Sequence, residues 1–235
     1  MKNLLTLLLL FTSIVSFSQE ITGNQLLQKS IQFHDPNGNW ATFQGEFLVT
    51  METPKGAPRI SDININLPKE YFSVTAKRDT IVTNFTVSKN NFLASFNGDE
   101  NPSEDIRKKY NLNKERANLY KNYYTYLYGL PMKLKDEGTI IHQKVERKEF
   151  KGKEYLVLKV TYNQEVGKDT WYFYFDPETY AMEVYQFFKD TKDSGEYILL
   201  SGLETINSIK MPKTRAWYYN KDDKYLGTDI LSEVK

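Results

Sequence analysis

Alternation with a period of two, broken at short intervals by turns, constrains this chain more than any other feature. Phe43, Gly45, Phe47, Val49 and Met51 share one face of a segment whose other face carries Thr42, Gln44, Glu46, Leu48 and Thr50. Such a split between an apolar and a more polar side marks a half-buried antiparallel strand. After a turn through Pro54, Gly56 and Pro58, Ile63, Ile65 and Leu67 alternate with Asp62, Asn64 and Asn66. Further strands read at residues 71–77, 81–87 and 92–96. The links Pro68-Lys69, Arg78-Asp79 and Lys89-Asn90 are too short for a crossover, so neighbours in sequence must pair antiparallel as a meander.

Two helical segments interrupt this pattern. Leu26, Leu27, Ile31 and Phe33 form an apolar stripe at helical spacing within residues 22–34, stopped by Asp35-Pro36-Asn37-Gly38. A second helical region runs over 102–128. Ser103 can cap its start, Asn111 to Asn113 break it, and Gly129 and Pro131 end it. Its final part is rich in tyrosine: Tyr120, Tyr123, Tyr124 and Tyr126 beside Leu119 and Leu127. Strands resume at 139–149, 155–162, 170–175, 182–189, 197–203, 213–219 and 226–234. About a dozen strands in one domain, residues 19–235, give a mainly β (α+β) class. Trp171, Phe173 and Phe175 alternate with Tyr172 and Tyr174, so both faces of that strand require cover, and the tyrosine-rich helix is the natural cover for one.

Residues 1–18 read as an export signal. Lys2 gives a positive start, residues 4–15 an apolar run, and Ser16-Phe17-Ser18 the small residues read by a signal peptidase, with cleavage between Ser18 and Gln19. The run is shorter than the roughly 20 apolar residues of a spanning helix. With no cysteine, the chain offers no N-terminal cysteine for lipidation and no disulfide. The expected location is the periplasm, as a free monomer.

Lys and Arg number 31 against 30 Asp and Glu, and removal of the leader takes away Lys2. A chain so balanced lacks the basic patch that nucleic acid demands and the charge that draws proteins to anionic lipid surfaces. The two histidines, His34 and His142, show no paired metal-ligand spacing, and no nucleophile elbow, phosphate loop or dinucleotide fingerprint occurs. We therefore expect no catalytic residues, no metal and no cofactor.

The order of elements, with the runs Tyr124-Thr125-Tyr126-Leu127-Tyr128-Gly129-Leu130-Pro131 and Trp171-Tyr172-Phe173-Tyr174-Phe175-Asp176-Pro177, resembles the LolA and LolB lipoprotein-carrier superfamily. It is similar in particular to LolA-like periplasmic proteins of the Bacteroidota. The resemblance implies a single curled antiparallel sheet, an unclosed half-barrel, with the N-terminal helix and the helical insertion covering its concave face. It also implies an apolar space for acyl chains and a part in outer membrane biogenesis. Phe47, Val49, Met51, Ile63, Ile65, Phe72, Val74 and Phe85 would then face inward, with Tyr123, Tyr124 and Leu127 above them. The same positions could instead form an ordinary filled core, since most apolar strand faces are simply packed.

The superfamily's chaperones carry a lid-latching arginine after a proline in an early strand. Here Pro68 is followed by Lys69, which lacks the planar, five-donor head. The expected function is a non-enzymatic protein holding a lipid or lipoprotein acyl group. The alternatives are an envelope protein-interaction module with a filled core and a hydrolase with carboxylates assembled by the fold.

Overall fold

The computed structural model describes residues 20–191 and 193–234, so the leader expected at 1–18 lies outside the described residues. Twelve strands form one antiparallel sheet. The first meander comprises β1 (Gln44–Glu52), β2 (Arg59–Asn66), β3 (Tyr71–Arg78), β4 (Ile81–Ser88) and β5 (Asn91–Phe96). The second comprises β6 (Thr139–Phe150), β7 (Lys153–Tyr162), β8 (Thr170–Phe175), β9 (Met182–Phe188), β10 (Glu196–Ile206), β11 (Ile209–Tyr219) and β12 (Tyr225–Glu233). The helices are α1 (Gly23–His34), α2 (Glu104–Tyr110) and α3 (Lys114–Tyr128).

The spatial order is β5-β4-β3-β2-β1-β12-β11-β10-β9-β8-β7-β6. The first meander runs outward from the centre to one edge. The second returns from the other edge to the centre, where β12 pairs with β1. Since α2 and α3 lie between β5 and β6 in the chain, the helical insertion is a strap from one edge of the sheet to the other. Laid flat, twelve strands would span roughly 50 Å, whereas a helix with its side chains is about 10–12 Å across. Yet α3 reaches Phe85 of β4 through Tyr120 and Tyr162 of β7 through Tyr126. The sheet must therefore curl around α3, leaving an unclosed half-barrel with the helix on its concave side.

Local chemistry explains the helix ends. Thr22 and Gln25 make reciprocal capping bonds at the start of α1. Asn113 accepts from the Arg116 amide at 2.8 Å and starts α3, while Asn111, at φ 52°, breaks the helical region into two. Ser103, expected to cap, makes no side-chain capping bond, and α2 begins with Glu104 and Asp105 against its positive end. Glycine is required where α1 meets the sheet: a Cβ on Gly23 would lie 2.1 Å from the His142 carbonyl oxygen.

β10 and β11 are longer than the sequence pattern indicates. Gly202 and Pro212 interrupt the alternation, but pairing continues through Leu203 and Pro212 to a two-residue turn. In that turn Asn207 and Ser208 both adopt positive φ, the conformation of a tight hairpin. The second aromatic face of β8, which the sequence reading left without a named cover, packs against side chains of the sheet itself. Tyr155, Val157, Tyr174 and Val184 form a small convex-side cluster flanked by Phe150, Tyr172 and Leu199. The ammonium groups of Lys148 and Lys153 lie over the rings of Tyr174 and Tyr155.

Candidate functional site

Three tyrosines of α3 at four-residue spacing face the first meander. The Tyr120 ring lies 5.3 Å from Phe85 of β4, Tyr124 lies 6.2 Å from Phe72 of β3, and Tyr128 lies 5.0 Å from Phe47 of β1. Eight residues advance about 12 Å along a helix, and the three strand gaps from β4 to β1 take about 14 Å. A helix crossing the strands steeply thus sets each tyrosine on a different strand. Val49, Ile63, Ile65 and Val74 are completely buried in the same cluster. Of the eleven residues expected to line an acyl site, Phe47, Val49, Ile63, Ile65, Phe72, Val74, Phe85 and Tyr124 are packed together as core. Met51, Tyr123 and Leu127 border open space, Leu127 as a member of the same core.

Val49→Trp and Ile65→Trp are accordingly expected to overpack this region and to lower stability by about 1–3 kcal/mol each, measured by thermal or urea unfolding. Wild-type melting in both variants would mean that the concave side yields to added bulk.

The open space lies on the other flank of α3, toward β8, β9 and β11. A groove of about 750 Å³ runs there, with Trp171, Phe187 and Trp217 on the sheet side and Leu119, Tyr123, Tyr126 and Leu127 on the helix. Trp171 and Phe187 stack at 4.8 Å, and the Tyr126 ring meets Trp171 at 5.8 Å. Charged groups also border it, among them Lys133, Asp136, Asp169 and Lys189. Tyr123 stacks on Trp217 at 6.2 Å and 19°. Both residues also line a smaller pocket of about 230 Å³ that includes Met51, Gly227 and Asp229.

A polar row holds α3 over the sheet. Arg59 of β2, Met51 of β1, Asp229 of β12 and Arg215 of β11 are successive cross-strand partners. Each charged member meets the helix. Arg59 donates to the Tyr124 hydroxyl at 3.2 Å, and the Tyr123 hydroxyl donates to Asp229 at 3.0 Å. Arg215 donates to the Leu127 carbonyl at 3.4 Å and to the Pro212 carbonyl at 2.8 Å. Its guanidinium also lies 3.9 Å from the centre of the Tyr128 ring.

Burial raises the Asp229 carboxyl above the usual range, against the opposing pull of the Tyr123 hydrogen bond, Arg215 and Arg59. Burial likewise raises the phenols of Tyr123 and Tyr126 well above the usual value, so both stay protonated. Lys69 sits exposed in the turn after β2, so the helix is held by arginines elsewhere in the chain.

Sequence reading did not single out Arg59, Arg215 or Asp229. The signal was present. Arg59 shares the parity of Ile63 and Ile65, Arg215 that of Met211 and Trp217, and Asp229 that of Leu231, so each charge stood on an inward apolar face. Of the two histidines, His34 is buried: its Nδ1 donates to the Lys210 carbonyl at 2.6 Å, and its Nε2 accepts from the Met182 amide at 3.0 Å. Among the described residues no group of three His, Asp or Glu side chains is placed to hold a metal ion. No helix among them is long and apolar enough to cross a membrane.

A family model described as "Family of unknown function (DUF6503)" matches residues 2–234. The chain belongs to this family. No curated protein matches the DUF6503 chain. Among solved structures it is similar to a LolA superfamily protein from Nitrosomonas europaea, at 10% identity and a TM-score of 0.50, covering 91% of this chain and 93% of that one. A putative outer membrane lipoprotein-sorting protein domain from Vibrio parahaemolyticus is 8% identical with a TM-score of 0.48, covering 91% and 92%. A DUF1329 family protein from Desulfovibrio piger is 11% identical with a TM-score of 0.46, covering 89% and 90%. The DUF6503 chain has the LolA-superfamily fold, and at such identities the likeness is one of fold.

Proposed function

We propose that this protein is a non-enzymatic binding protein of the periplasm, exported by a leader cleaved between Ser18 and Gln19, that holds the acyl chain of a lipid or lipoprotein. The observation that carries this reading is the groove of about 750 Å³ between α3 and the aromatic sheet side of Trp171, Phe187 and Trp217. A concave, apolar, largely preformed space with a few polar groups at its border suits a small amphiphile. In this reading α3 is a lid, and Phe47, Val49, Ile63, Ile65, Phe72, Val74 and Phe85 are the surface that its displacement would uncover. The acyl chain begins in the groove beside Leu127 and Tyr123.

Native mass spectrometry of the protein purified from periplasm, followed by uptake of a fluorescent fatty acid, tests the proposal. Leu119 borders the groove and is 55% exposed, so Leu119→Glu should leave stability within about 0.5 kcal/mol while lowering probe uptake. A protein that carries no lipid and takes up no probe is no carrier. Its packed core under Tyr124 would then favour an envelope interaction module.

A further inference from the structure

The interior beneath α3 holds hydrogen-bond donors that no acceptor of the protein meets. Arg215, Tyr128 and Tyr185 are completely buried. Nε of Arg215, Nε of Arg59 and the hydroxyls of Tyr128 and Tyr185 have no hydrogen-bond partner in the protein. The Tyr185 hydroxyl feels the Arg215 charge, yet its proton has no acceptor in the protein. A guanidinium cannot supply one, because it only donates. Asp229 is the one carboxylate in the row, and Tyr123 already occupies its Oδ2. Two guanidinium groups, Arg215 fully buried and Arg59 half-buried, therefore face a single carboxylate, and unpaired buried donors are costly.

These donors lie behind the groove rather than apart from it. The Tyr185 ring is 6.2 Å from Trp171 and 6.3 Å from Trp217, the two tryptophans on the groove's sheet side. Tyr185 thus stands behind the tryptophan wall, and Arg215 lies two residues from Trp217 on the same face of β11. Arg215 holds the Leu127 carbonyl only at 3.4 Å, the long limit of a hydrogen bond.

We propose that the ligand has an acceptor-bearing acyl head, a carboxylate or an ester carbonyl, which Arg215, Tyr185 and Tyr128 receive beneath α3. The proposal rests on the acyl-binding reading above and narrows it. An arginine with two phenols offers directed donors to an oxygen that carries negative charge. An alcohol brings a weaker acceptor and another donor, and an alkylamine brings only donors and a repelled charge.

Competition against a fluorescent acyl probe by lauric acid, methyl laurate, dodecanol and dodecylamine tests this. Lauric acid is expected to displace the probe at least tenfold more effectively than dodecanol or dodecylamine. Methyl laurate separates the two sources: parity with the acid indicates an esterified acyl group, and weakness indicates a free fatty acid.

Tyr185→Phe removes one hydroxyl that has no acceptor, so the variant should melt no lower than wild type while its preference for the acid falls several-fold. Tyr128→Phe is a second variant of the same kind. Equal competition by dodecanol or dodecylamine would overturn the proposal and leave the acyl-binding reading standing. Unchanged preference in both phenylalanine variants would do the same. Failure of every compound, the probe included, removes the binding reading itself.

Discussion

Replacing Arg215 with alanine is expected to lower stability by about 3–5 kcal/mol, the cost of leaving a buried opposite charge and two carbonyls without it. Arg215 is completely buried, bonds the Pro212 and Leu127 carbonyls, and covers the Tyr128 ring. Its cross-strand neighbour is Asp229. Without the guanidinium, Asp229 stays buried with the Tyr123 hydroxyl and, two strands away beyond Met51, the Arg59 charge. Arg215→Lys should recover part of the loss, since charge returns but the fork that reaches two carbonyls does not. Urea unfolding with an unchanged m-value measures the difference. A loss under about 1 kcal/mol for the alanine variant would show that the row contributes little to holding α3.

Acidification should unfold the protein partly through His34. Desolvation, the largest influence, lowers its pKa from 6.5 to about 4, against the raising effect of its bond to the Lys210 carbonyl. The folded state therefore keeps the imidazole neutral while the unfolded state protonates it. Between pH 6.5 and 4 the unfolded chain binds more protons, so the contribution is complete above about 6.5 and is lost as pH falls toward 4. The full loss is about 3 kcal/mol, from 1.36 kcal/mol per pKa unit. Asp229 acts in the opposite sense, since its carboxyl is raised on folding. The informative quantity is thus the difference between wild type and His34→Gln. Their urea midpoints should converge as pH drops from 7 to 4.5; parallel curves would refute the assignment.

The strands and their pairing were readable because alternation and short links leave few choices. Predicted strand 170–175 and β8 coincide, and Asn111 to Asn113 divide the helical region as their turn chemistry indicates. β10 and β11 were under-read at their shared turn, where Pro212 and the polar run at Asn207-Ser208 weaken the alternation, yet tertiary pairing carries the ladder to Ile206 and Ile209. The candidate site was half legible. Parity identified Phe47, Val49 and Ile63 as inward, but parity cannot distinguish a wall from a filled core. That depends on where α3 lies, and Tyr120, Tyr124 and Tyr128 seat it over the first meander. The space falls instead beside Trp171 and Trp217, which come from strands that only the folded sheet brings under one helix.

The pairing of β1 with β12 at the centre of the sheet bears on how the protein is assembled. Each meander can form from local hairpins, which close quickly. Their junction matches Phe47 with Glu233 and Val49 with Leu231, contacts between opposite ends of the chain. Such distant contacts bear the full loop-closure cost before any reward. β12 is the last strand in chain order, so during N-to-C emergence the first meander waits with β1 as an unpaired edge. β12 is the keystone: deleting residues 225–233 would leave two half-sheets, each with a raw central edge open to aggregation.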